Sequence, residues 1–98
     1  MRFNTAKQKM LDGKPAIGGA SGLGSPLSAE TLALAGVDFV LIDDQHGIWD
    51  PQSMLAAFRS VRLAGSVPMI RVGKNDFYAI GAALDRGALG IVVPMVHN

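Results

Sequence analysis

The sequence predicts an α/β fold built on a parallel sheet. Short apolar runs recur about 20 to 30 residues apart, and segments of helical periodicity stand between them. The run Phe39-Val40-Leu41-Ile42 sets four apolar residues in a row, which suits a strand covered on both faces. Alternation at this pitch implies right-handed crossovers and a sheet that is either doubly wound or closed into a barrel.

Taken in order, residues 3–11 read as a helix, with Phe3, Ala6, Met10 and Leu11 at helical spacing and Asp12-Gly13 as the stop. Residues 16–22 form a first strand that runs into a glycine-rich loop. Ser28 is the expected N-cap of the next helix, with Glu30 in its first turn and Gly36 at its end. The second strand is 38–43. Asp50-Pro51 opens a helix, with Pro51 at its first position, and Met54, Leu55, Phe58, Val61 and Arg62 continue the period to Ala64-Gly65. Residues 68–73 form a third strand, Asn75 or Asp76 caps a helix through Arg86, and 90–96 form a fourth strand. No linker or internal boundary is visible. The last strand lacks a covering helix, so the chain is expected to be cut short.

Of the 98 residues, 49% are hydrophobic and 17% charged, the makeup of a folded core. Lys and Arg number 9 against 8 acids, with no basic cluster, which argues for a small-molecule partner and against nucleic acid or a membrane. The absence of cysteine excludes disulfides and thiolate metal sites and fits a reducing compartment. No signal peptide is evident and no run approaches the ~18 apolar residues of a membrane span, so the expected setting is cytoplasmic.

Ligands in parallel α/β folds bind outside the carboxyl ends of the strands. The first strand ends in Gly19, Ala20, Ser21 and Gly22; the second in Asp43, Asp44, Gln45 and His46; the third in Arg71; the fourth in Pro94 and Met95. His46 is either an idle loop histidine or a proton-transfer group, for which a free pKa near ~6.5 is suited. Asp43 either orients a partner or caps its own loop. Arg71 leaves an apolar strand and needs an anion: Asp43 or Asp44 internally, or a ligand oxygen held by a bidentate clamp. Gly18–Ser25 matches neither the P-loop nor the dinucleotide fingerprint. It is a close-approach loop for a ligand or a neighbouring chain, and Gly19 and Ser21 join Arg71 as substrate-binding candidates. Asp85 is by default a solvent-facing charge at a helix end, and Trp49 a packing residue.

LIDDQHGIWD (41–50) resembles the strand-two signature of the HpcH/HpaI aldolase family, the metal-dependent 4-hydroxy-2-oxoheptanedioate and 2-keto-3-deoxy-sugar-acid aldolases. Three further pieces agree in order and spacing: a lysine-leucine-glycine pattern from Lys7 or Lys9 through Gly18, PMIRVGKND (68–76), and ALDRGALGIVVPMV (83–96). The resemblance implies a (β/α)8 TIM barrel of ~250 residues. Residues 1–98 would supply an N-terminal helix and about the first four strands of that single domain. It implies reversible cleavage of a 4-hydroxy-2-oxo acid to pyruvate and an aldehyde, with an enolate stabilised by a divalent metal, Mg, Mn or Co. His46 is then similar to the catalytic base, Arg71 to the arginine on the pyruvate oxygens, and Asp43 to the strand-end acid. Asp85 is similar to an acid paired with the histidine, within one subunit or across two. The Glu and Asp metal ligands of the family belong to later strands beyond Asn98, so no metal ligand is expected in this chain and the fragment alone is expected to be inactive. The full-length protein is expected to be a homo-oligomer.

Asp44-Gln45 departs from the usual Gly-Glu before the histidine and changes the charge beside it. Other readings are an acyl-thioester lyase of the citrate-lyase type, a receiver-like signalling domain, or a binding fragment without activity. The receiver reading lacks the acidic pair such a domain needs at the end of its first strand.

Overall fold

A computed structural model describes residues 4–45 and 47–94. It contains α1 (Thr5–Leu11), β1 (Gly18–Ser21), α2 (Pro26–Leu34), β2 (Phe39–Asp43), α3 (Pro51–Leu63), β3 (Val67–Arg71), α4 (Phe77–Arg86) and β4 (Gly90–Val92). The four strands form one parallel sheet in the order β1-β2-β3-β4. Each strand therefore pairs with the next in the chain. A doubly wound sheet reverses its strand order at some point, whereas a barrel adds strands in one direction, and this sheet follows the barrel pattern.

The helices start where side chains satisfy their first N–H groups. Asn4 caps α1, accepting from Lys7 N–H at 2.9 Å, and Asp76 caps α4, accepting from Tyr78 N–H at 3.2 Å. Asp50 accepts from Ser53 N–H at 2.8 Å while the Ser53 hydroxyl accepts from Asp50 N–H at 3.0 Å, a reciprocal capping box ahead of Pro51. The same logic corrects the start of α2. Its N-cap is Ser25 and not Ser28, because Pro26 follows with its φ already set for the first helical position, and the Ser25 hydroxyl accepts from Ser28 N–H at 3.3 Å.

The sheet has two unlike faces. Val40, Ile42, Pro68 and Ile70 are buried against Ala29 and Ala33 of α2 and against Ala57, Phe58 and Val61 of α3. In-register pairing puts Ala20, Leu41 and Met69 on the opposite face, as it does Asp43 and Arg71. Leu41 and Met69 are only partly buried and Ala20 is exposed. Burial of β2 on both faces is thus not met within this chain: its helix-facing residues are covered and its inner ones are half open. The inner residues of a barrel are covered by strands from across the ring, which four strands do not provide. The third strand closes at Arg71, two residues short of its expected end. The fourth reaches Val92, and the rest of its expected span, 95 and 96, lies outside the described residues.

At the opposite end of the sheet α1 lies across the strands' amino ends. Its Asn4 amide donates to Leu89 O at 3.3 Å, and Lys9 pairs with Asp38 at 2.6 Å, just ahead of β4 and β2 respectively. That end of the sheet is plugged, and the carboxyl end is left for ligands.

Candidate functional site

Asp43 and Arg71 are the last residues of β2 and β3 and are register partners on the inner face. Arg71 Nε donates to Asp43 Oδ1 at 3.1 Å and Arg71 Nη2 donates to Asp43 Oδ2, a bidentate fork. The side chains are 32% and 20% exposed, so the pair stands at the rim and not in the core. The hydrogen bonds from Asp43 hold the guanidinium in its charged form, raising its pKa further. Two of the five N–H donors of the guanidinium serve Asp43, and three remain. The carboxylate sets the plane of the fork, and the remaining donors can meet an anionic oxygen above the rim.

The backbone ties the two strand ends together. Asp44 N–H donates to Arg71 O at 2.9 Å, and Gln45 N–H donates to Asp43 Oδ1 at 3.0 Å. Asp43 is therefore at once a loop cap and the partner of Arg71. Burial raises the pKa of Asp44 above the ordinary carboxylate value, and the charge of Asp43 adds to the shift. The proposed base, His46, lies outside the described residues.

The glycine loop meets its own chain. Ile48 N–H donates to Gly22 O at 3.1 Å, and a Cβ on Gly47 would stand 2.0 Å from Asp43 O and 3.0 Å from Gly22 Cα. Close approach was expected to serve a ligand or a neighbouring chain. The structure shows it serving the packing of the β1–α2 loop against the β2–α3 loop. Trp49, buried, fastens the same junction by donating from Nε1 to Ser21 O at 3.1 Å, a role that the indole's pairing of apolar body and single donor allows.

Gly19 and Ser21 are register partners of Val40 and Ile42 and so belong to the helix-facing side, away from Asp43 and Arg71. A Cβ on Gly19 would meet Leu32 of α2 at 3.3 Å, and the Ser21 hydroxyl is buried with no partner among the described residues. Asp85 is exposed near the end of α4, where it lines a groove of about 250 Å³ with Arg59, Arg62 and Arg86. A helix following a strand in a β/α unit runs back toward the strands' amino ends, so Asp85 and the Asp43–Arg71 rim lie at opposite ends of the sheet. The Asp44-to-Arg71 backbone bond that joins the strand ends had no sequence signal of its own; only the register reveals it.

Among the described residues no three His, Cys, Asp or Glu side chains come together as a metal site. Asp43, the inward-facing carboxylate, is engaged by Arg71. These residues do not fit a divalent metal by themselves, and no chemical step is routed through one here. No helix among them is long and apolar enough to cross a membrane.

A sheet that adds parallel strands in one direction, with its polar groups on the carboxyl rim, defines the TIM-barrel class of α/β proteins. Solved structures agree: a HpcH/HpaI aldolase/citrate lyase family protein from Burkholderia cenocepacia aligns with a TM-score of 0.85 at 33% identity, over 96% of this chain and 38% of its own. Macrophomate synthase aligns at 0.80 and 33% identity, over 95% and 32% respectively, and a citrate synthase at 0.83 and 32%, over 92% and 37%. The chain belongs to the HpcH/HpaI aldolase/citrate lyase family, whose model matches residues 21–98. It is 39% identical over 95 residues to the 4-hydroxy-2-oxo-heptane-1,7-dioate aldolase of Escherichia coli and 38% identical to that of Salmonella dublin. It covers 97% of itself but only 36% of either relative, so it spans about a third of the length of the proteins it matches.

Proposed function

We propose that residues 1–98 form the first part of a single (β/α)8 domain whose assembled form is a carbon–carbon lyase. That lyase cleaves a 4-hydroxy-2-oxo acid to pyruvate and an aldehyde. The observation that carries the reading is the bidentate Asp43–Arg71 pair on the carboxyl rim of a family-member sheet. An aldol cleavage builds negative charge on the oxygen of the departing enolate, and a guanidinium held rigidly at that oxygen stabilises the transition state more than the neutral ground state. Arg71 supplies the donors, Asp43 orients them, and His46 is the group that takes and returns the hydroxyl proton. The divalent metal, Mg, Mn or Co, would polarise the 2-oxo acid. The 2-oxo acid and aldehyde are the small-molecule partners, and the cytoplasmic setting and homo-oligomeric assembly of the complete protein belong to the same proposal.

The test is a chimera in which residues 1–98 replace the matching segment of the Escherichia coli relative. With Mg, Mn or Co present it is expected to release pyruvate, and His46→Ala and Arg71→Ala are each expected to lower that release about tenfold or more. Near-unchanged turnover in His46→Ala removes the base assignment. A second reading, carbon–carbon bond chemistry on an acyl thioester, is favoured by the family's citrate-lyase branch and the citrate synthase likeness. The same chimera distinguishes it, by acting on a thioester substrate and not on the hydroxy-oxo acid.

A further inference from the structure

We infer that the 98-residue chain closes its sheet with a second copy of itself, giving an eight-stranded barrel from two four-stranded halves. The sheet ends in two edges, β1 and β4, neither with a further strand beside it among the described residues. Free edges and an open apolar face are both unfavourable in water. The inner face carries Ala20, Phe39, Leu41, Met69 and Val92, with Ala20 and Val92 exposed and the others partly so. The chain exposes 6069 Å², about 700 Å² more than the ~5,400 Å² expected of a compact monomer of its mass, 10.3 kDa. That excess is close to the ~800 Å² that each partner buries in a stable interface of standard size.

A second copy is the occupant that the topology favours. Rotation by half a turn about the barrel axis keeps every strand parallel, sets β4 beside the partner's β1 and the partner's β4 beside β1, and leaves no edge. Four strands are half of the eight that close a barrel of this class. The plugged end carrying α1 falls on one side of both halves. The Asp43–Arg71 pairs of both copies then share the other mouth.

Sedimentation equilibrium of the 98-residue chain is expected to give a species of twice the chain mass. A monomer at all concentrations overturns the inference, and so does an open series of larger oligomers, because edge pairing without closure makes filaments. Leu41→Glu, on the inner face, is expected to weaken the dimer at least tenfold. Leu63→Glu, on the exposed side of α3, is expected to leave it intact. Should Leu41→Glu fail to fold, an edge cross-link decides. The chain has no cysteine, and a short bis-maleimide is expected to join Ala20→Cys/Val92→Cys chains into covalent dimers while neither single variant is joined in that way. A dimer that resists this cross-link uses another surface and overturns the inference. If the chain alone is monomeric and instead captures the remaining segment of the Escherichia coli relative added in trans, later strands are the occupant and a second copy is not.

Discussion

At the scale of single residues, the rim is held by backbone as much as by charge. Gly47→Ala would drive a Cβ into Asp43 O and Gly22 Cα, backbone on both sides with no flexible side chain to yield. A loss of about 2 kcal/mol or more is expected in denaturant melts. Gly18→Ala meets the Phe39 ring, which can swing aside, and is expected to cost less. Asp44 gives a pH signature. Because burial raises its folded pKa above 3.8, ionising it opposes folding. The cost is absent below the ordinary value, grows as pH rises through the shifted one, and is constant above it. Asp44→Asn is therefore expected to raise stability at pH 7 and to change it little near pH 3, and a melt showing destabilisation at pH 7 contradicts this. Arg71 and Asp43 were legible as candidates because an arginine leaving an apolar strand needs an anion. Sequence alone left open whether that anion was internal, and the register answers that Asp43 holds it. Gly19 and Ser21 were chosen for their position at a strand end, but the period-two alternation of a strand sends them to the other face.

Helix starts show at the scale of elements what the sequence reveals and what it hides. Asp50-Pro51 was legible because a capping side chain directly precedes a proline, and Asp50→Ala is expected to lower stability by about 1 kcal/mol as the box with Ser53 is lost. Ser25-Pro26 carries the same signal, yet Ser28 and Glu30 offered a plausible start three residues later. The proline decides, since its fixed φ costs nothing at the first helical position. Ser25→Ala is accordingly expected to reduce thermal stability, whereas Ser28→Ala leaves the cap oxygen in place and is expected to be nearly silent. Strand ends were read too long by two residues at β3 because apolar character continues through Val72 after pairing has stopped. Hydrophobicity marks burial, while pairing marks a strand, and the two need not end together.

For the whole molecule, alternation of strands and helices was enough to specify a parallel sheet, but not to separate a doubly wound sheet from a barrel. That choice depends on neighbour order, a long-range property that no local pattern encodes, and it is settled by β1-β2-β3-β4. The run Phe39–Ile42 reads as covered on both faces although only its helix side is covered within the chain, as suits a segment whose inner face meets strands across a ring. The central claim is that the Asp43-held Arg71 guanidinium on this rim stabilises a pyruvate enolate. It is tested most directly without any aldehyde, by following deuterium exchange into the methyl group of pyruvate in heavy water, by proton NMR, for the Escherichia coli chimera and its Arg71→Ala variant. The account predicts steady exchange by the chimera and a rate at least about tenfold lower in the variant; equal rates in the two proteins would contradict it.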